Sequence, residues 1–210
     1  MRAIRILSLS LGVLFLLLFG YYYFWFLRLP ERNIPADNRL FISPANGVIG
    51  SVTRWNTDSI RILKEKYGAV DVWTRDVDTA GWMIAIVMDP TNVHYQRCPL
   101  DARVIYSKHQ EGSFHNAVAN DNPYQLRFEN EHHQILFQGT DGRYFKTIQI
   151  AGFLARRIET FVTPDQRLKQ GELFGLIKLG SQVAVILPHD WNPVVKPGEV
   201  VTDGETILAR

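Results

Sequence analysis

The feature that most constrains this chain is an apolar run near its N-terminus. The 22 residues from Ile6 to Leu27 contain no charged side chain. As an α-helix rising about 1.5 Å per residue, the run is roughly 33 Å long, which matches the hydrocarbon core of a bilayer. It ends in aromatic residues of the kind found at headgroup depth: Tyr21, Tyr22, Tyr23 and Trp25. A secretory signal has a shorter apolar run and small residues at its cleavage site, so we predict that residues 1–28 form an uncleaved membrane anchor. The anchor is single-pass or peripheral, and a straight span is the simpler of the two.

The net positive charge of the chain lies around this anchor rather than in the rest of the chain. Arg2 and Arg5 precede the apolar run and Arg28 and Arg32 follow it, so the positive-inside rule does not decide the orientation. Residues 33–210 carry 19 basic and 20 acidic side chains. A nearly neutral body lacks the positive field that non-specific nucleic-acid binding requires, and we expect no nucleic acid as a partner.

The chain beyond the anchor divides into a linker and a β-rich body. Residues 29–37 hold two prolines and mixed charge, a composition typical of a linker. In residues 38–210, short apolar runs alternate with turn dipeptides such as Asn46-Gly47 and Asp203-Gly204. We predict a mainly β (α+β) body, built as a lipoyl-like sandwich of β-hairpins. Helices are expected at only two places, residues 57–67 and residues 151–159.

The sequence lacks the best-known signatures of catalysis. It contains no G-x-S-x-G elbow, no Walker loop and no H-E-x-x-H helix. The single cysteine, Cys98, cannot form an internal disulfide. Because the adjacent His132 and His133 would point to opposite faces of a strand, no metal site is expected there. The tripeptide Leu179-Gly180-Ser181 lies between two apolar runs, and taken alone a Gly-Ser pair in that place indicates only a turn.

An ordered series of short segments gives that Gly-Ser pair a different meaning. The segments run along residues 28–210 in this order: Arg28-Leu29-Pro30-Glu31-Arg32, Ser43-Pro44-Ala45-Asn46-Gly47, Met88-Asp89-Pro90, Val93-His94, Arg97-Cys98-Pro99, Gly112-Ser113-Phe114, Ile148-Gln149-Ile150-Ala151-Gly152, Ala155-Arg156-Arg157-Ile158, Gly171-Glu172, Phe174-Gly175, Leu179-Gly180-Ser181, Pro197-Gly198-Glu199 and Gly204-Glu205-Thr206. Each segment is short, but the ordered set is specific. It resembles the phosphatidylserine decarboxylase family in its short form.

The resemblance implies that the chain is a self-cleaving enzyme. In this family the proenzyme cuts its own backbone at a Gly-Ser bond, and the serine becomes an N-terminal pyruvoyl group. Here Gly180 and Ser181 match that bond, so cleavage would give a large chain, 1–180, and a small chain, 181–210. The pyruvoyl group formed from Ser181 would be the cofactor. It forms a Schiff base with the amine of phosphatidylserine and takes up the electrons released as carbon dioxide departs.

The resemblance also implies the residues that activate the serine. His94 matches the base of the family's valine-histidine motif. The aspartate that orients this base should stand in the Ser-Pro-Ala block, but the chain has Asn46 there. A neutral amide cannot stabilise an imidazolium, and the analogous change in a serine protease costs about four orders of magnitude in rate. Three readings are open: slow maturation to a decarboxylase, substitution by another carboxylate such as Asp89 or Asp101, and a non-catalytic, membrane-tethered homologue that binds a lipid or protein.

The expected substrate agrees with the expected anchor. A decarboxylase that acts on a lipid headgroup has to work at the bilayer surface, where a tethered domain is concentrated. Arg156 and Arg157 are candidates to bind the phosphate, since guanidinium groups bind phosphate oxygens in pairs. A salt-bridged surface pair with Glu159 is the equally simple alternative. The family precedent favours a body on the cytoplasmic face of the cell membrane.

Overall fold

The computed structural model begins with a single long helix. It describes residues 2–64, 68–112, 126, 128–152, 157–178 and 181–210, of which residues 2–3, 60–64, 68–71 and 181 are described by their backbone alone. Helix α1 spans Arg2–Gly20 and continues as a π-helix over Tyr21–Phe26. The stretch Ile4–Phe26 has a mean hydropathy of 2.1. By length and composition this helix is able to cross a membrane, as predicted.

The secondary-structure elements described in the rest of the chain are all strands. They are β1 (Phe41–Ile42), β2 (Gly47–Trp55), β3 (Ser59–Lys64), β4 (Gly68–Trp73), β5 (Gly81–Met88), β6 (Tyr95–Arg97), β7 (Ala102–Gln110), β8 (His132–Gly139), β9 (Tyr144–Ala151), β10 (Arg157–Thr160), β11 (Arg167–Leu168), β12 (Leu173–Lys178), β13 (Ser181–Pro188), β14 (Val200–Val201) and β15 (Ile207–Ala209). The mainly β character predicted from the sequence is confirmed. The finer, lipoyl-like arrangement remains a prediction.

The main layer is an antiparallel sheet of eight strands in the order β11-β7-β8-β9-β13-β5-β2-β14. Strand β13 lies near its middle and pairs with β5 on one side and β9 on the other. Both faces of β13 are covered, because Val183 and Val185 belong to one apolar cluster while Ala184 and Ile186 belong to a second. The uninterrupted apolar run of this strand is typical of a strand that is buried on both faces.

A smaller sheet, with the order β10-β12-β6, covers one face of the main sheet. Phe174 of β12 meets Phe137 of β8 with 5.7 Å between ring centroids, and Phe137 stacks on Phe145 of β9 at 5.0 Å. Strands β1 and β15 pair with each other, and so do β3 and β4. The larger apolar core therefore lies between the eight-stranded and the three-stranded sheets.

Among the described residues, neither of the two helices predicted within the body is found. Residues 59–64 and 68–73 form the hairpin of β3 and β4, with residues 65–67 between them outside the described residues. In this segment alternate residues are β-branched, and cross-strand pairing prevails over the local helical pattern. Of residues 151–159, Ala151 ends β9 and Arg157–Glu159 belong to β10, while residues 153–156 lie outside the described residues.

Candidate active site

The Gly-Ser junction falls in the connection from β12 of the three-stranded sheet to β13 of the main sheet. Strand β12 ends at Lys178 and β13 begins at Ser181, while Leu179 and Gly180 lie outside the described residues. The backbone of Ser181 is in register with Met88 of β5 and with Ala151 of β9. The junction is therefore placed where a central strand starts, beside the end of β5.

His94 reaches the same end of the molecule from the loop that follows β5. Its carbonyl accepts a hydrogen bond from the backbone N–H of Ile177, at 3.1 Å, three residues before Gly180. The same carbonyl accepts from Nε2 of Gln96, at 2.6 Å, and Gln96 accepts from Nε2 of Gln149, at 2.8 Å. The fold thus brings the segments that carry His94 and Ser181 together, and it fixes the backbone of His94 through buried amides.

The imidazole of His94 is buried and neutral at physiological pH. The side chain is 0% exposed, and burial lowers its pKa to about 4. Nδ1 lies 2.8 Å from the carbonyl oxygen of Asn92. A carbonyl only accepts, so Nδ1 carries the proton and donates it, and Nε2 is left as the basic nitrogen. A backbone carbonyl thereby fixes the tautomer that a general base requires.

Asn46 is held in a different network. Its Oδ1 accepts from the backbone N–H of Asp203, at 2.7 Å, and from Nη2 of Arg32, at 3.4 Å. The carboxylate of Asp203 is fully buried between Arg32, at 2.5 Å, and Arg97, at 2.8 Å. The next residue, Gly47, has φ +152°, and a Cβ there would lie 2.4 Å from the carbonyl oxygen of Val87. Asn46 thus joins the linker to the C-terminal segment, and among the described hydrogen bonds Asn92 is the partner of Nδ1 of His94.

The two carboxylates suggested as substitutes for the missing aspartate have other partners. Oδ1 of Asp89 accepts from the backbone N–H of Thr91, at 2.7 Å, and from its hydroxyl, at 2.5 Å. Its charge still acts on His94, whose pKa it raises against the larger effect of burial. Asp101 accepts from Lys169 at 2.8 Å and from the backbone N–H of Gln170 at 2.8 Å. Of these two carboxylates, Asp89 is the one whose charge acts on His94.

Of the two phosphate candidates, Arg157 lies on β10, next to β12. Arg156 is outside the described residues, whereas the side chain of Arg157 is 74% exposed and lies 3.8 Å from Glu159. Arg157 is in register with Lys178, whose Nζ lies 2.6 Å from the same glutamate. The hydrogen bond from Lys178 to Glu159 raises the pKa of the lysine. Two cationic side chains, Arg157 and Lys178, therefore lie next to each other just before the Gly-Ser junction. The sequence alone did not identify Lys178 as a candidate to bind the phosphate.

Comparisons with known proteins identify the family of this chain. A family model described as phosphatidylserine decarboxylase matches residues 19–209. The chain belongs to the phosphatidylserine decarboxylase family. Membership makes it an enzyme of the decarboxylase class, a lyase.

Individual relatives cover most of the chain as well. It is 33% identical over 200 residues to a protein of Methanocaldococcus jannaschii described as an archaetidylserine decarboxylase proenzyme, covering 95% of this chain and 93% of that one. It is 32% identical over 186 residues to the phosphatidylserine decarboxylase proenzyme of Ruegeria pomeroyi, covering 89% and 77%. For that of Pelobacter propionicus the identity is 32% over 195 residues, covering 93% and 78%. The decarboxylase therefore resembles both archaeal and bacterial proenzymes along nearly its whole length.

Proposed function

We propose that this decarboxylase cuts itself between Gly180 and Ser181 and then converts phosphatidylserine to phosphatidylethanolamine. The observation that carries the proposal is that a buried, neutral histidine is hydrogen-bonded through its backbone to Ile177, four residues before Ser181. The backbone N–H of Ile177 donates a hydrogen bond to the carbonyl of His94, at 3.1 Å. Ser181 is in register with Met88, which ends β5 just before the loop that carries His94. The family match supports the same chemistry over residues 19–209.

In the proposed cleavage His94 acts as the general base. Nε2 takes the proton of the Ser181 hydroxyl, whose oxygen attacks the carbonyl carbon of Gly180. The imidazolium gives this proton to the nitrogen of Ser181 as the peptide bond breaks, and an ester bond replaces it. Loss of the α-proton of Ser181 eliminates the carboxylate of Gly180, which becomes the new C-terminus of the large chain. Water then releases the nitrogen of residue 181 as ammonia and leaves a pyruvoyl group at the start of the small chain.

Asn46 does not prevent this role of His94. The Asn92 carbonyl, 2.8 Å from Nδ1, supplies the orientation that an aspartate would otherwise give. A carbonyl lacks a full negative charge and stabilises the imidazolium less, so each cleavage event is slow. Because each chain is cut only once, a rate lower by about four orders of magnitude still allows maturation within the life of the protein.

The two chains would remain together after cleavage. The small chain, 181–210, contributes β13, β14 and β15 to the fold. Strand β13 is hydrogen-bonded to neighbours on both sides, and Asp203 is buried against two arginines. These non-covalent contacts do not depend on the peptide bond between Gly180 and Ser181, so they would still hold the two chains together after cleavage.

The surroundings of Ser181 are suited to a pyruvoyl group and to an anionic lipid. The group would stand at the N-terminus of β13, whose backbone is paired with β5 and β9. When present, it supplies the carbonyl that condenses with the serine amine and takes up the electrons of decarboxylation. Arg157 and Lys178, with Arg156 next in the chain, are proposed to bind the phosphate. The anchor would hold the body at the cytoplasmic face of the cell membrane. An archaetidylserine presents the same serine headgroup.

Replacement of Ser181 tests the proposal. The full chain and the variants Ser181→Ala and Ser51→Ala, in mixed micelles with phosphatidylserine, are assayed for released carbon dioxide and for phosphatidylethanolamine. Ser51 is a half-exposed residue of β2 and serves as the matched control. We expect product from the unmodified chain and from Ser51→Ala, and none from Ser181→Ala. If all three are equally inactive, the chain is a non-catalytic, membrane-tethered homologue.

A further inference from the structure

The end of the membrane helix packs onto the loop that carries His94. Phe26, the last residue of the π-helix, is fully buried, and its ring centroid lies 4.2 Å from that of the imidazole. Tyr22 stacks in turn on Phe26, with 5.6 Å between ring centroids and 7° between their planes. In the same turn Phe24 is 81% exposed. One side of the helix end therefore belongs to the body, although its sequence is as apolar as the rest of the anchor.

Polar contacts hold the same loop at two successive residues. The hydroxyl of Tyr21 donates to the carbonyl of Pro90, at 3.1 Å. Nη2 of Arg28 donates to the carbonyl of Thr91, at 2.6 Å, and Nη1 donates back to the carbonyl of Trp25, at 2.7 Å. We call Tyr21, Tyr22, Phe26 and Arg28 the docked face. Through it, the loop leading to His94 is tied to the end of the anchor.

The helix changes its form where it docks. The backbone N–H of Leu27 bonds to the carbonyl of Tyr22, at 3.0 Å, which closes a wider turn than that of an α-helix. Turns of this kind are rare, and they occur often at functional sites. Here the buried ring of Phe26 and the two polar contacts of the docked face offset the cost of the wider turn.

We propose that the docked face is a wall of the active site, which holds the His94 imidazole in place, shields it from water and keeps this edge of the body at the level of the lipid headgroups. The inference rests on the proposed role of His94 in self-cleavage. In this arrangement Phe26 is a positioning residue, since it acts through His94. The anchor then completes the site in addition to concentrating the enzyme at the membrane.

The electrostatics of His94 make the contribution of Phe26 measurable. Burial is the largest cause of the lowered pKa, and the ring of Phe26 contacts the imidazole. Two charged groups also act on it: Asp89, from its own loop, raises the pKa, and Arg28, from the docked face, lowers it. Truncating Phe26 admits water without removing either charge, so the pKa of His94 is expected to return toward the ordinary value of about 6.5.

The first measurement is independent of cleavage. The full chain carrying Ser181→Ala, in detergent micelles, is titrated by NMR with labelled histidine, and His94→Gln identifies the resonance. Adding Phe26→Ala should raise the pKa of His94 from about 4 to about 6, while Phe26→Leu stays close to the parent. Phe24→Ala, which removes an exposed ring from the same turn, should leave it unchanged. An unaltered pKa in Phe26→Ala overturns the proposal.

The second measurement follows self-cleavage at pH 7 in chains that retain Ser181. We expect Phe26→Ala to be cut about tenfold more slowly than the parent, and Phe26→Leu and Phe24→Ala to be cut at nearly the parent rate. Tyr21→Phe loses only one hydroxyl contact and should be cut about threefold more slowly. Tyr21→Phe keeps the test valid if Phe26→Ala fails to fold. Parent-like cleavage of both variants contradicts the proposal. A parent chain that is never cut, but whose His94 responds to Phe26→Ala, refutes the self-cleavage and supports the docking.

Discussion

Replacing Asp203 with asparagine tests how the C-terminal segment is held to the rest of the molecule. Its carboxylate is 0% exposed and lies 2.5 Å from Arg32 and 2.8 Å from Arg97, whose side chains are 11% and 13% exposed. Asp203→Asn keeps the shape but leaves both guanidinium groups buried without a counter-charge. Breaking a buried pair in this way costs about 3–5 kcal/mol, a large fraction of the roughly 5–15 kcal/mol that stabilises a typical domain.

The assay is thermal unfolding of the full chain in micelles, in a Ser181→Ala background so that one chain is followed. A loss of 1 kcal/mol lowers the Tm of a chain of this size by about 2–4 °C, so Asp203→Asn should lower it by about 6–20 °C. The control is Asp165→Asn, which neutralises an exposed pair with Arg103 at 3.6 Å and should change the Tm by at most about 4 °C. A shift in Asp203→Asn no larger than in the control would refute the reasoning.

Three further predictions concern the site. Asn46→Asp should leave the rate of self-cleavage within about threefold of the parent, because Oδ1 of residue 46 is hydrogen-bonded to Arg32 and to the backbone N–H of Asp203. Time courses of intact mass measure this rate, and an acceleration of tenfold or more would mean that a carboxylate reaches His94. The rate of cleavage should be constant from about pH 8 to about pH 5.5 and fall to half of that value near pH 4, because His94 gains a proton there. A rate that falls to half near pH 6.5 would contradict the burial of His94. Lys178→Ala should raise the KM for phosphatidylserine about fivefold with kcat unchanged, whereas Arg103→Ala, on β7 of the main sheet, should leave the KM unchanged. Equal KM values in the two variants would exclude Lys178 from phosphate binding.

The strands of this protein are largely readable from the sequence because burial leaves a pattern. The run from Val183 to Leu187 is apolar without a break, and the structure buries both faces of that strand. Residues 59–64 are the contrary case, since a charged and apolar mixture there fits a helix as well as a strand. Pairing with residues 68–73 decides between them, and such pairing is not visible in a local window.

The site is only partly readable for a related reason. Its polar residues, His94 and Ser181, stand in motifs, but the partner of His94 is the backbone carbonyl of Asn92, which no residue type announces. Phe26 is indistinguishable in sequence from its lipid-like neighbours, and only the packing reveals that it covers the imidazole. Lys178 becomes a candidate solely through its register with Arg157.

The most direct test of the account is the intact mass of mature protein purified from membranes. The account predicts two polypeptides, residues 1–180 and residues 181–210, with the smaller one lighter by one ammonia than a chain that begins with serine, and resistant to Edman degradation. Recovery of a single polypeptide of 210 residues, with an unmodified serine at position 181, would contradict it.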